Sequence, residues 1–132
     1  MKNLFSAFVI SLLLGSCGEN DIDNIYTASI KGRWQLVEMY SSNGGPGQWS
    51  SVADGYTYTF LEGNIVIADK FECDGAYQFG DDGRLTITFS CPDSQFNLTY
   101  KIESEDNLMV LTPDPSPCDE GCAEKFKRVT RD

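Results

Sequence analysis

The chain has 132 residues, enough for one domain with a hydrophobic core but not for two. Its 20 acidic residues exceed its 10 basic ones, and the net charge of −10 excludes nucleic acids and anionic lipid surfaces as electrostatic partners. The absence of histidine from the sequence removes the commonest general base and the commonest metal ligand. We therefore expect that the protein is not an enzyme and has no metal site or cofactor, and we also predict a monomer.

The N-terminal segment has the layout of a secretory signal: Lys2, then an apolar run over residues 4–14, then small residues. Residues 14–17 read Leu-Gly-Ser-Cys, which resembles the lipobox of bacterial lipoproteins. That resemblance implies removal of residues 1–16 and attachment of lipid, palmitate included, to Cys17. A plain signal peptide with an accidental cysteine and a membrane anchor are the alternatives. The run is shorter than the roughly 20 residues that cross a bilayer.

Residues 17–29 are polar and acidic and predict a tether between the lipid and the domain. Acidic residues directly after the cysteine resemble the surface-export signals of some lipoproteins in two-membrane bacteria. The expected location is therefore the outer membrane of the cell envelope, with the domain exposed at the surface. A solvated linker would have the same composition. Asp21, Asp23 and Asn24 lack the glycine and the closing glutamate of a calcium loop, so no calcium site is predicted.

From residue 30 onward, short segments alternate apolar and polar residues, and Gly, Asp, Asn and Pro separate them. The eight predicted strands are residues 32–40, 56–61, 65–68, 76–79, 85–89, 96–102, 108–111 and 125–129. Short turns pair neighbouring strands, and closure with the last strand beside the first removes the exposed edges. We predict an all-β, eight-stranded antiparallel up-and-down barrel over residues 30–132, with no long helix. A two-sheet sandwich is the alternative.

The alternation also predicts which side chains face the barrel interior, and many of them are aromatic. The predicted inward set is Trp34, Leu36, Tyr58, Phe60, Ile65, Ile67, Tyr77, Phe79, Leu85, Ile87, Phe89, Phe96, Leu98, Tyr100, Ile102, Leu108, Val110 and Phe126. So many rings favour a filled interior, so any cavity would be small and close to one mouth.

The five cysteines include Cys17, which leaves an even number for disulfides in an exported domain. The turn at residues 80–83 pairs Phe79 with Leu85. The same register places Cys73 opposite Cys91, on the core side and at a distance that a disulfide spans. We predict Cys73–Cys91, which leaves Cys118 and Cys122 for a second bridge. A bulge beside Gly75 would break this register.

Gly32-Arg33-Trp34 at the first strand of the predicted meander resembles the Gly-x-Trp signature of lipocalins. The order of several short motifs over residues 30–130 is similar to small lipocalin-like lipoproteins of gut and environmental bacteria. The resemblance implies structural roles for Gly32 and Trp34, with Trp34 packed across the closed end of the barrel. It also makes Arg128 a stacking partner over the Trp34 ring. The chain is shorter than a full lipocalin and lacks a clear C-terminal helix.

Aromatic residues near the glycine-rich loop predicted over residues 41–55 are the candidate ligand-binding residues. Trp49 belongs to none of the predicted strands, and with Tyr40 and Tyr56 it would form the rim of a mouth. Tyr58 lies one inward position further along the strand. We predict a lipid-anchored module that binds a small apolar or amphipathic ligand. The alternative is a filled barrel without a ligand that presents its outer face to another protein.

Overall fold

The computed structural model describes residues 26–27, 29–42, 44–118 and 121–130. The signal segment 1–16, the lipobox with Cys17 and most of the tether lie outside the described residues. Helical backbone occurs only next to the barrel within these ranges, at residues 26–27 and 29–30. None of the described residues belongs to a helix of the length and hydrophobicity that a membrane crossing requires.

The described residues form nine strands in one antiparallel sheet. They are β1 (Gly32–Ser41), β2 (Gln48–Ser51), β3 (Thr57–Leu61), β4 (Ile65–Ala68), β5 (Gly75–Phe79), β6 (Leu85–Cys91), β7 (Ser94–Glu105), β8 (Leu108–Pro113) and β9 (Cys122–Thr130). The order is β2-β1-β3-β4-β5-β6-β7-β8-β9, and β1 also pairs with β9. The eight strands other than β2 therefore form a closed barrel, which confirms the predicted fold and excludes the sandwich.

The interior of the barrel is filled by large apolar side chains. The largest fully buried ones are Trp34, Tyr58, Tyr77, Phe60, Phe89, Phe126, Ile30, Leu85, Ile87, Met109, Leu111 and Val66. Fully burying each of these side chains contributes about 1.5–3 kcal/mol. Phe96, Leu98 and Ile102 are only partly buried and pack against this core. The predicted filled interior is thus observed for most of the inward set.

Two strands present the opposite face to the one that we predicted. Ile65 and Ile67 on β4 are about two-fifths exposed, and Leu108 on β8 is 47% exposed. The buried residues are Val66, directly opposite Phe60, and Met109, directly opposite Phe126. Val110 shares the outward face with Leu108. Four consecutive apolar residues fit either face equally well, so only the pairing with a neighbouring strand selects one.

The predicted loop over residues 41–55 contains a ninth strand. β3 pairs with only the first half of β1, from Gly32 to Gln35. β2 occupies the same edge of β1 further along, where Tyr40 lies opposite Trp49. An unpaired edge exposes backbone donors and acceptors, and the short β2 strand satisfies them. The loop prediction was therefore wrong for Gln48–Ser51.

The helical residues just before β1, 26–27 and 29–30, lie at one end of the barrel beside Trp34, and we call this end the closed end. Its indole Nε1 donates a hydrogen bond to the Ile30 carbonyl at 2.8 Å, and the Arg128 guanidinium carbon lies 4.2 Å from the ring centroid. Arg128 also donates hydrogen bonds to the carbonyls of Lys31 and Ser29, at 2.6 and 2.7 Å. Gly32 adopts a φ of +116°, a conformation that side chains other than glycine disfavour, where the chain enters β1.

Both predicted disulfides are present. Cys73 and Cys91 have Cα atoms 5.5 Å apart, and those of Cys118 and Cys122 are 5.9 Å apart. Phe79 pairs with Leu85 as expected, so the hairpin register does bring the first cysteine pair together. Gly75 passes close to the Phe89 ring, and a Cβ there would lie 2.7 Å from the ring carbons.

Candidate functional site

The β4–β5 connection, residues 69–74, lies at the end of the barrel away from the start of β1, and we call it the strap. Phe71 in the strap stacks on Phe89 of β6 with ring centroids 4.2 Å apart. Its second ring neighbour is Phe96 of β7, at 5.4 Å. Through these contacts the strap, which begins after β4, packs against β6 and β7. We refer to the region beneath it as the open end.

Two further contacts attach the strap to the barrel. The Cys73–Cys91 disulfide joins its far part to β6. At its start, the Asp69 carboxylate accepts a hydrogen bond of 2.9 Å from the backbone amide of Thr57, where β3 begins. Lys70 therefore projects from a segment that is held on both sides.

The Lys70 ammonium lies among four aromatic rings. Its Nζ is 3.8 Å from the ring centroid of Tyr56, 5.7 Å from Tyr58, 5.4 Å from Phe71 and 5.3 Å from Phe96. All four distances fall within about 6 Å, the range in which a ring face attracts a cation. We call these four rings the cage. The Lys70 residue as a whole stays exposed, so its charged end lies at the boundary between solvent and core.

A carboxylate faces the same end from β9. Glu124 has the parity of Phe126, a buried core residue, and therefore points to the interior. It accepts a short hydrogen bond from the Tyr56 hydroxyl. Tyr56 thus contacts the Lys70 ammonium with its ring face and Glu124 with its hydroxyl. A cation and an anion therefore contact the same tyrosine side chain.

Tyr58 carries a polar atom that is buried without a hydrogen bond. The residue is 0% exposed, and its hydroxyl has no partner among the described residues. The side chains of Tyr56 and Tyr100 lie close enough to this hydroxyl to shift its pKa. An unsatisfied buried hydroxyl costs about 1–3 kcal/mol.

Burial shifts the titration of the groups at this end. Desolvation raises the pKa of Tyr56, and the nearby Tyr58 and Glu124 raise it further. Desolvation likewise raises the pKa of Tyr58 and of Tyr100. The pKa of the Lys70 ammonium is lowered by burial, against the opposing effect of Glu124 and Asp69. Tyrosines with raised pKa values stay neutral, so they offer hydroxyls for hydrogen bonding and no negative charge.

The four residues that we predicted for ligand binding lie on two sides of the barrel wall. Tyr56 and Tyr58 face the open end. Tyr40 and Trp49 pair with each other on the outer face, with ring centroids 5.5 Å apart. Tyr40 lies opposite Ala123, whose side chain points away from the interior because it is three residues before Phe126.

Tyr40 points outward because β1 contains a β-bulge between Leu36 and Glu38. The bulge inserts one extra residue and reverses which face the later residues of the strand present. Tyr40 therefore leaves the interior although it is an even number of residues from Leu36. The Lys125 ammonium lies 4.2 Å from the Trp49 ring on this outer face and forms an ion pair of 2.9 Å with Glu38. The structure does not bring the two pairs of aromatics together.

Sequence reasoning missed the charged members of the open end. Glu124 has a detectable signal, because it continues the alternation of Phe126 and Arg128 by two residues toward the N-terminus. The predicted strand began one residue too late to include it. Lys70 has no such signal, because it lies between strands, where side-chain direction follows from the path of the strap and not from a period.

A groove of about 700 Å³ lies elsewhere, on the outer face of β7, β8 and β9. Its lining includes Glu103, Glu105, Leu108, Val110 and Lys125. Val110 lies directly opposite Lys125, and the Lys125 ammonium reaches across β1 to lie over the Trp49 ring. We call the row Leu108, Val110, Lys125 and Trp49 the outer stripe. In this stripe Leu108 and Trp49 are exposed, and the charge of Lys125 is paired with Glu38.

Comparisons of the chain with models of known protein families, with curated proteins and with solved structures found no match.

Proposed function

We propose that this protein is a lipid-anchored, lipocalin-like binding module of the cell envelope that takes one small amphipathic molecule at the open end. The supporting observation is the polar cluster of Glu124, Tyr56 and Tyr58 beneath a strap, in an otherwise apolar interior. Apolar side chains at these positions would fill the barrel at a lower cost in desolvation. A polar cluster at one end gives an amphipathic ligand a place for its head group.

The filled barrel limits the ligand to a shallow position. Tyr58 of the cage and the neighbouring Phe89 are both fully buried, and their rings lie 6.5 Å apart in a nearly stacked arrangement. An eight-stranded barrel is just wide enough to be filled by side chains or to hold one small ligand. The ligand of this protein would therefore bind at the cage, beside the strap, and would not reach the barrel axis.

Binding is tested on the full-length lipoprotein, solubilised in detergent and analysed by native mass spectrometry for a retained small molecule. A fluorescent probe of hydrophobic sites, N-phenyl-1-naphthylamine, reports occupancy in parallel. Replacing the half-buried Phe96 by alanine should weaken probe binding by about tenfold, or about 1.4 kcal/mol. The matched control is Ile67→Ala, which removes an apolar side chain from the exposed outer face. Equal probe affinity in both variants, or no probe binding at all, would contradict the proposal.

The anchor is tested separately. Growth with an alkyne-labelled palmitate should label the protein, and Cys17→Ala should abolish the label and leave an unprocessed chain that retains residues 1–16. Protease added to whole cells then reports whether the domain is exposed at the outer-membrane surface. A Cys17→Ala protein that is still labelled and processed would contradict lipid attachment at Cys17.

The outer stripe favours a second function, a module that binds another envelope protein through its outer face. Trp49 is 39% exposed and Leu108 is 47% exposed, beside the outer-face groove. A photo-crosslinking residue at Trp49 in intact cells should then capture one discrete partner. The same residue at Ile65, which is equally exposed on a different strand, is the control. Identical products from both positions would indicate random collision.

A further inference from the structure

The Lys70 ammonium occupies a position in which a free organic cation of similar size would make the same contacts. Four ring faces surround it at 3.8 to 5.7 Å, from the strap, β7 and the start of β3. Several aromatic faces around one positive charge are also the arrangement by which proteins recognise quaternary ammonium groups. In this protein, the chain itself supplies the cation.

Charge around the cage favours a cation over a neutral or anionic group. Glu124 contacts the far side of Tyr56, whose hydroxyl donates to its carboxylate. Asp69 precedes Lys70 in the strap, and both carboxylates favour the charged form of the Lys70 ammonium. The whole chain carries a net charge of −10, which attracts cations and repels anions at longer range.

Lys70 is held in the cage by the rings and by these longer-range charges. Among the described residues, its ammonium forms no hydrogen bond and no ion pair within 4.0 Å. Burial opposes its charged form, because a primary ammonium is strongly hydrated and the rings replace part of its water. A quaternary ammonium is less strongly hydrated and loses less on entering the same cage. Lys70 is therefore an occupant that a soluble cation can replace.

We infer that the open end recognises a small alkylammonium compound, whose cationic head takes the place of the Lys70 ammonium in the cage of Tyr56, Tyr58, Phe71 and Phe96. The inference rests on the proposed function and names the chemical class of its ligand. The apolar part of the ligand would lie beside the rings of Phe71 and Phe96. Lys70 then competes with the ligand from within the chain.

The probe pair for the test is choline and 3,3-dimethylbutan-1-ol, in which a carbon atom replaces the charged nitrogen. Both are titrated into the full-length protein in detergent, and the shift of their methyl proton resonances measures binding. We expect choline to bind about tenfold more tightly than the neutral compound, because only choline gains the attraction of the rings. Replacing Tyr56 by leucine should remove that preference.

Lys70→Ala empties the cage and should strengthen choline binding by about tenfold, since the competing tethered amine is absent. The matched control is Lys101→Ala, which removes the same charge from an exposed position on β7. A proton spectrum with dispersed amide resonances verifies that each variant is folded. Lys70→Met, which keeps the length of the stem, repeats the test if Lys70→Ala is unfolded.

The outcomes separate this inference from the proposed function. Equal binding of choline and its neutral analogue would overturn the cation site, while retained naphthylamine binding would leave the open end as a binding site. Choline binding that is unchanged by Lys70→Ala and by Tyr56→Leu would also overturn it. Loss of both choline and naphthylamine binding would overturn the inference and the proposed function together.

Discussion

The two ends of the barrel each hold a cation over an aromatic ring, but they hold it differently. At the closed end, Arg128 lies 4.2 Å from Trp34 and donates two hydrogen bonds to backbone carbonyls. At the open end, Lys70 lies 3.8 Å from Tyr56, with no hydrogen bond among the described residues. Hydrogen bonds to charged groups contribute about 1.5–3 kcal/mol each, so they decide which contact is permanent. We therefore infer that Arg128 is a structural cation and that Lys70 is an exchangeable one.

The largest expected effect is at the closed end. Trp34→Ala should lower the free energy of unfolding by about 3–5 kcal/mol, because it creates a cavity in the buried end of the barrel and leaves Arg128 without its ring. Urea unfolding followed by circular dichroism measures it. The control is Trp49→Ala, where an exposed tryptophan is lost, and its effect should stay within about 1 kcal/mol. Equal losses in the two variants would contradict a structural closed end.

Loss of the strap disulfide should have the second-largest effect on stability. Replacing Cys73 and Cys91 together by serine should cost about 3 kcal/mol and loosen the open end, because a long loop is released in the unfolded state. Replacing Cys118 and Cys122, which close a loop of only five residues, should cost about 2 kcal/mol. Urea unfolding compares the two double variants. Hydrogen exchange at Phe71 should accelerate in the first variant alone, and acceleration in both would contradict a local role.

Alkaline pH should affect the open end. The pKa values of Tyr56, Tyr58 and Tyr100 are raised by burial in the folded protein, so the stability that they contribute is present below about pH 10 and is lost above it. Each such tyrosine costs about 1.4 kcal/mol per pH unit in that range. The lowered pKa of Lys70 acts in the opposite direction, because its folded form releases the proton earlier.

The free energy of unfolding should therefore fall less steeply with pH in Tyr56→Phe, by about 1.4 kcal/mol per pH unit, because one ionisable hydroxyl is absent. Unfolding measured from neutral pH to above pH 10 gives this slope, and tyrosinate absorbance shows whether ionisation coincides with unfolding. An unchanged slope in Tyr56→Phe would show that this hydroxyl is accessible to solvent in the folded protein.

The smallest effects test the two cations directly. Arg128→Lys retains the charge but loses the paired hydrogen bonds to Lys31 and Ser29, and should cost about 1–2 kcal/mol. Lys70→Met keeps the stem and should change stability by no more than about 1 kcal/mol, the value of an exposed cation–π contact. Thermal unfolding of the two variants gives the difference. A larger loss for Lys70→Met than for Arg128→Lys would reverse the assignment of the two ends.

The sequence alone predicted eight of the nine strands, both disulfides and, with a sandwich as the alternative, the closure of the barrel. Strict alternation, as in Tyr77 to Phe79 and Leu85 to Phe89, specifies both a strand and its buried face. A turn with two glycines then specifies the hairpin register, and the register brings Cys73 opposite Cys91. Alternation and turn residues are local rules, whereas closure pairs the first strand with the last and was inferred from the number of strands. The lipobox at Cys17 stays a prediction from the sequence.

Only the tertiary structure decided what lies at the open end. The bulge in β1 turned Tyr40 to the outside, and a bulge depends on how two strands pair and not on the residues of one strand. The apolar runs of β4 and β8 fit either face. Pairing with the neighbouring strands places Val66 opposite Phe60 and Met109 opposite Phe126, and so decides which face is buried. Lys70 reached the cage because the strap crosses the barrel end, and no periodicity reports the path of a connection between strands.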